Sequence, residues 1–453
     1  MSDNRAETMT EAGRIVRLAW PIMLTSLNWT LMHLIDVAVV GHYGTDELAA
    51  LAASRILTFI SIVIGFAGLS GVLVFVARAD GGGELAETGE ILRSGLILGL
   101  IMGCVMAAIL GVGAFELLAL VDVEPSLRGP GAAVVQAMAI AFPAQFLLAA
   151  SSYFLEGISR PRRVMTVNLL MLPVNGLLAW AWVGGHLGLP ALGAVGAAYA
   201  TAAVSWGGAA AMLTVIWRLP RASERRVRDL SAAAWGRALA RIRKLAGFGL
   251  MPAIGASLEL AGFAWLMVLS TQLGNEAAGA FQAMLSVHNI AFALSMGFGS
   301  AAGVRVGNAV GAGERHEAWP RSLIAGALAA IILGLGSLLL VFAAEGLVWP
   351  FSDDRSVLAL AASMLAIMGA FLIFDGLQYV FGSALRSLGE QVWASVNGII
   401  GFFVVTGGLG WLLTQRGWGP DGLAYAAGAG MLVAASLQFG RLAWVLRVPK
   451  RDR

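Results

Sequence analysis

IMLTSLNWTLMHLIDVAVVG, residues 22–41, is an apolar run interrupted by one charged side chain, Asp36. Two other stretches have the same character: PAIGASLELAGFAWLMVL at 252–269 around Glu259, and MLAIMGAFLIFDGLQYVFG at 364–382 around Asp375. Apolar runs of about 20 residues have the length of a bilayer-crossing helix. A charged group at bilayer depth costs roughly 2.5–3.5 kcal/mol even on the lenient insertion scale. Acids kept there face an internal cavity, bind a cation or carry a proton. Three lone carboxylates in apolar helices therefore point to an ion-coupled transporter.

The rest of the composition agrees. Hydrophobic residues make up 58% of the chain and charged residues only 13%, with mean hydropathy +0.79. Soluble domains carry about 25% charged residues, so this is the balance of a membrane protein. The longest polar stretch, around 219–244, is too short for a soluble domain. The opening residues, MSDNRAETMTEAGR, lack the apolar core and cleavage site of a signal peptide. A single cysteine, Cys104, excludes disulfides within the chain and thiolate metal sites. The 58 glycines suit close packing and bending of membrane helices.

The hydropathy pattern predicts an all-α polytopic protein with twelve transmembrane helices. They lie near 14–41, 45–78, 88–114, 126–156, 162–184, 191–217, 240–273, 276–307, 316–345, 354–385, 390–414 and 421–447. With the N-terminus inside, all but four of the 30 Lys and Arg residues fall on the cytoplasmic side. The four outer ones are Arg55, Arg128, Arg355 and Arg416, and the segment 218–244 alone holds nine basic residues. That bias predicts cytoplasmic termini in a cell inner membrane and explains the basic pI without nucleic-acid binding.

The two halves echo each other. RIVRLAWP at 14–21 resembles RIRKLAGFGLMP at 241–252, and 44–84 matches 274–314 in length, opening and closing words. Tyr153 and Arg160 recur at the spacing of Tyr379 and Arg386. GAAYA at 196–200 matches GLAYA at 422–426, and WRLP at 217–220 matches LRVP at 446–449. Six spans per half is an even number, so both halves enter the membrane in the same direction. The expected organisation is therefore an N-terminal lobe (1–217, six helices), a basic cytoplasmic linker (218–239) and a C-terminal lobe (240–453, six helices), with substrate handled by parallel repeats.

Candidate residues cluster around the three acids. Phe371, Asp375 and Gln378 share a helix face, and a carboxylate beside an aromatic ring suits an organic cation. The bland alternative pairs Asp375 with Arg386. Glu259 stands among Gly255, Ala256 and Gly262, and is read either as a proton-exchanging acid or as an oxygen ligand for Na⁺. Asp36 shares a stripe with Asn28, Trp29, Met32 and His33, where His33 is a relay or a packing residue. Asn175 follows Pro173, so its amide either bonds Asp36 or caps a kink. Gln282, Asn289 and Asn397 read first as interhelical hydrogen-bonding groups. Glu116, Glu156, Arg78 and Arg305 are expected at the interface, near helix ends. The glycines of GVRVGNAVGAGE, 303–314, lack the lysine of a phosphate loop, and no enzyme motif is present.

These words resemble the multidrug and toxic compound extrusion (MATE) family in its NorM-like branch, from about residue 14 to 448. The resemblance rests on Pro21 with LIDVAVVG, on Pro252 with Leu258–Glu259, and on RVGNAVGAGE. FDGLQYVFGSALR and Glu156–Gly157 before Arg160–Pro161 complete it. It implies two six-helix bundles forming a V, alternating access, and export of small amphipathic cations by one chain in exchange for inward H⁺ or Na⁺. No cofactor is implied beyond that coupling ion. Glu259 and Asp375 would line a cation site in the C-terminal lobe, and Asp36 with Asn175 one in the N-terminal lobe. Phe281 before Gln282, Phe371 and Ala179 depart from the family pattern, and each departure removes a cation ligand. A lipid-linked oligosaccharide flippase of the same fold would need a basic cavity, whereas the intramembrane charges here are mainly acidic. With Cys104 removed, a cysteine at Arg226 is expected to resist impermeant maleimide in intact cells; labelling from outside would overturn the topology.

Overall fold

Hydrocarbon offers backbone groups no hydrogen-bond partners, so a chain of this composition has to satisfy them within helices. The computed structural model describes residues 2–352 and 354–447, with side chains from residue 9. The outermost ends of the two expected lobes, and the VP of the LRVP word, lie outside the described residues. Among the described residues there is no strand.

In chain order the helices are α1 (Ser2–Tyr43), α2 (Thr45–Leu69), α3 (Gly71–Gly81), α4 (Leu85–Leu120), α5 (Pro125–Ala139) and α6 (Phe142–Gly157). Then come α7 (Pro161–Gly184), α8 (Gly193–Trp217), α9 (Ala232–Gln272), α10 (Asn275–Gly311), α11 (Ala318–Phe342) and the short α12 (Ala344–Val348). The last are α13 (Arg355–Ser387), α14 (Gln391–Gly398), α15 (Thr406–Gln415) and α16 (Gly419–Arg447). Eleven helical segments are long and apolar enough to cross a membrane, or twelve when the bent pair α5–α6 counts as one span. The chain is a multi-pass membrane protein.

Three expected spans are less regular than their hydropathy suggests. The second is continuous except for a local break at Ser70, between α2 and α3. The fourth bends by 47° between α5 and α6. Pro143, in the first turn of α6, cannot donate to the helix ladder. The Ile140 carbonyl at that bend accepts from Trp206 Nε1 at 3.1 Å. The eleventh widens into a π-helical turn at Ile399–Val405. There Thr406 Oγ1 donates to the Gly401 carbonyl at 3.2 Å, and a Cβ at Gly401 would collide with Ala434 and the Gly430 carbonyl of α16.

The chain groups into two compact units, one of residues 27–253 and one of 1–26 with 254–453. The long helices α1 and α9 each pass from one unit into the other, just beyond Pro21 and Pro252 respectively. Within the first unit the start of α9 packs tightly on α3: a Cβ at Gly71 would meet Leu245 and Phe248 at 3.0 Å. Within the second, a Cβ at Gly297 would collide with Met23 of α1. Glu11 of α1 holds Arg305 of α10 in a two-pronged pair, at 2.6 and 2.7 Å.

The basic segment between α8 and α9 is a folded clasp on the α3–α4 turn. Arg225 pairs with Asp80 at 2.5 Å and donates to Thr88 at 3.2 Å. Arg93 of α4 donates to the carbonyls of Arg226 and Asp229, at 2.6 and 3.2 Å. Arg237 pairs with Glu90 at 2.7 Å, and Arg241 pairs with Glu87. Gly89 is required here, because a Cβ would strike the Arg225 carbonyl. Most of these pairs are partly shielded from water, so removing one partner costs about 1–3 kcal/mol. Arg225→Ala is expected to lower thermal stability and to expose 221–228 to trypsin. An unchanged digestion pattern would mean the clasp does not hold this segment.

Candidate functional site

Asp36 lies on α1 and is 6% exposed. Two helices supply its partners. Asn175 Nδ2 of α7 donates to Oδ1 at 2.8 Å, and Thr201 Oγ1 of α8 donates to Oδ2 at 3.2 Å. Asn175 is fully buried, and Thr201 also reaches its Oδ1 at 3.4 Å. Pro173 leaves α7 continuous, so Asn175 serves as a ligand of the carboxylate. Charge-assisted bonds of this kind are roughly twice as strong as neutral ones. They hold the Asp36 carboxyl group at a junction of three helices.

The remaining residues of the α1 stripe go elsewhere. Asn28 Nδ2 donates to the Asn168 carbonyl at 3.0 Å, and its Oδ1 has no hydrogen-bond partner. Trp29 packs edge-on against Phe66, with ring centroids 5.5 Å apart. His33 is half-buried, and its carbonyl accepts from Arg55 Nη2 at 2.8 Å.

The second cluster is built on α10, α13 and the part of α9 from residue 254 onward. Asp375 of α13 is 2% exposed. Its Oδ2 lies 3.9 Å from Nε2 of buried His288 on α10. That separation is an electrostatic contact and too long for a hydrogen bond. Asp375 Oδ2, His288 Nδ1, Gln378 Nε2 and Ser295 Oγ are all buried without a hydrogen-bond partner. An unmet buried polar atom costs about 1–3 kcal/mol; a bound proton or cation would meet the acceptor Asp375 Oδ2, whereas the amide donor Gln378 Nε2 needs an acceptor. Glu259 of α9 is half-buried and within electrostatic reach of Asp375 and Arg386.

Arg386 does not neutralise Asp375. Its Nη2 donates to Ser383 at 3.1 Å, and its guanidinium lies 5.8 Å from the Tyr379 ring centroid. Phe371 is half-buried, with its ring against Gly428 of α16. Gln282 and Asn289 are exposed on α10. Asn397 donates to Gln438 at 3.3 Å, a link between α14 and α16 apart from the acids. Glu156 departs from the interfacial expectation: at 6% exposure it is buried in α6. Among the described residues no three His, Cys, Asp or Glu side chains are grouped to hold a metal. A Na⁺ site here would need amide, hydroxyl or carbonyl oxygens as well.

Three side chains beside these acids do not stand out in the sequence as their neighbours. Thr201 was hidden in the repeat word GAAYA and its continuation. His288 lies about two turns beyond Gln282 on α10. Arg55 was assigned to the outer surface. In each case the signal was a polar side chain inside an apolar helix.

The arrangement has counterparts among known proteins. A profile of the MatE family matches residues 21–181 and again 252–412, starting each time at the proline of a half's first span. The probable multidrug resistance protein NorM of Caulobacter vibrioides is 30% identical, across 97% of this chain and 93% of that protein. The multidrug resistance protein PmpM of Pseudomonas aeruginosa is 28% identical, across 96% and 91%. The crystal structure of the eukaryotic MATE transporter AtDTX14 superposes with TM-score 0.86 at 19% identity, covering 96% of each chain. A variant of the Vibrio cholerae MATE transporter VcmN gives TM-score 0.84 at 18% identity, covering 98% of this chain and 99% of that one. Most of the sequence, in two repeated stretches, thus carries one family's pattern and fold, and the chain belongs to the MatE family of multidrug and toxic compound extrusion transporters.

Proposed function

We propose that this chain is a secondary active antiporter that exports amphipathic organic cations in exchange for inward H⁺ or Na⁺. The observation that carries this reading is the buried Asp375 carboxylate, one oxygen of which has no donor, beside Glu259 and His288. Two acids that influence each other attract one positive charge strongly. Once a proton or Na⁺ has taken that charge, they hold an organic cation poorly. Competition of this kind couples ion entry to drug release, because a ligand shifts a conformational equilibrium only by its differential affinity for the two states. Asp36, held by Asn175 and Thr201, would be the corresponding switch in the N-terminal lobe. Phe371, Gln378 and His33 are proposed to line the path, with Gln282 and Asn28 in the surrounding network.

Relatives named as multidrug resistance proteins support this reading. The repeat supports two lobes, 1–217 and 240–453, acting as one monomeric carrier in the inner membrane with both termini cytoplasmic. A flippase for phosphate-linked lipids is disfavoured, since the acids of these clusters would repel its headgroup. In proteoliposomes, export of ethidium driven by a pH or Na⁺ gradient is expected to fall to background in Glu259→Gln and in Asp375→Asn. Wild-type rates in both variants would rule out the coupling role. Asp36→Asn imitates the protonated acid and is expected to weaken ethidium binding at pH values where wild-type Asp36 is ionised, and to match wild type at low pH, where both side chains are neutral. A binding-versus-pH profile identical to wild type would place coupling in the C-terminal cluster alone.

A further inference from the structure

Arg55 has no place in the scheme above. It lies on α2, which begins at Thr45, so about 15 Å of helix separates it from that end at 1.5 Å per residue. Its Nη2 donates at 2.8 Å to the backbone carbonyl of His33, one turn before Asp36 on α1. Arg55 and Asp36 act on each other electrostatically. Yet the carboxylate oxygens of Asp36 receive their hydrogen bonds from Asn175 and Thr201. The guanidinium is half-buried and carries five donors in a planar fork. A half-buried cation inside an apolar helix is costly, and within a membrane span residues of this kind mark substrate or ion pathways.

The two repeats differ at this position. In the register that pairs 44–84 with 274–314, Leu285 stands where Arg55 does. In the register that pairs Pro21 with Pro252, Asn28 stands where Glu259 does. The N-terminal cluster balances one acid against one base, whereas the C-terminal cluster sets two acids against Arg386, whose guanidinium acts on Glu259 and is turned to Ser383 and the Tyr379 ring. A monocation gains from the acid excess of the C-terminal cluster and is partly repelled by Arg55. A molecule bearing both an ammonium and a carboxylate finds matched, opposite charges in the N-terminal cluster.

We propose that Arg55 is a specificity-determining residue that binds the carboxylate of zwitterionic amphipaths while Asp36 attracts their cationic end. This deepens the transport reading and rests on it. The guanidinium fork matches a carboxylate with two parallel hydrogen bonds, which a point-charge ammonium does not reproduce. Loss of one charged hydrogen-bonding partner corresponds to roughly tenfold in affinity.

Rhodamine B, a zwitterion, and its ethyl ester, a cation on the same ring system, separate the two contributions. Both would be titrated by fluorescence onto purified wild type, Arg55→Gln and Arg55→Lys in detergent. The ratio of rhodamine B affinity to ester affinity is expected to fall roughly tenfold in Arg55→Gln and by an intermediate factor in Arg55→Lys. Equal losses for both dyes would make Arg55 a structural counter-charge and overturn the proposal. An unchanged ratio would do the same. Wild type supplies a test that needs no variant: it is expected to bind rhodamine B at least as tightly as the ester, and a tenfold preference for the ester overturns the assignment. If wild type exports neither dye from vesicles, the transport reading fails along with it. Export of the ester with no Arg55-dependent preference strikes this inference alone.

Discussion

A polar group in hydrocarbon finds no partner except another part of the protein. The apolar helices of this chain answer to that constraint. The backbone closes its hydrogen bonds within helices, and at the α5–α6 bend a side chain adds to them, as Trp206 does at the Ile140 carbonyl. Charges obey the same rule at higher stakes. Asp36 has both oxygens engaged by two neighbouring helices. Asp375 is held more loosely, with an unmet oxygen and a histidine at 3.9 Å. The difference between a satisfied acid and a hungry one is the chemical asymmetry on which ion coupling would draw.

Glycine does the complementary work. At Gly262, Gly299 and Gly428 an added Cβ would collide with a neighbouring helix. Close approach is what brings Phe371 of α13 against α16 and Tyr379 against α10. Small residues therefore set the spacing, and the few polar residues act only because that spacing is tight. The charged clasp of 219–241 belongs to a different regime. It lies at helix ends, where Arg–carboxylate pairs are stable beside water, and it joins the start of α9 to α3 and α4.

Much of the site was legible in the sequence because bilayer depth makes carboxylates rare. Asp36, Glu259 and Asp375 stood out by isolation, and Pro173 drew attention to Asn175. Residues whose chemistry is common in membrane helices did not stand out. A threonine such as Thr201 usually bonds its own helix backbone, so one that crosses to an acid cannot be told apart by composition. Arg55 did not stand out as a neighbour of Asp36, because ten residues from a helix end suits a surface charge as well as a half-buried one. Glu156 was misread, placed at an interface but buried by α6 packing.

Hydropathy, basic-residue bias and the internal repeat were enough to determine an all-helical, multi-pass chain of two related halves. Hydropathy sums transfer free energies along the chain, the bias counts its loop charges, and the repeat is recurrence of its own words, so all three are read locally. Partner choice required tertiary structure. Which acid is bonded on both oxygens, which arginine turns inward and which helix crosses from one compact unit to the other all depend on contacts between residues far apart in sequence. Asp36 and Asn175 come within 2.8 Å only when α1, α7 and α8 are packed. No periodicity in a single segment encodes that meeting, because it is fixed by how side-chain volumes of separate helices fit together.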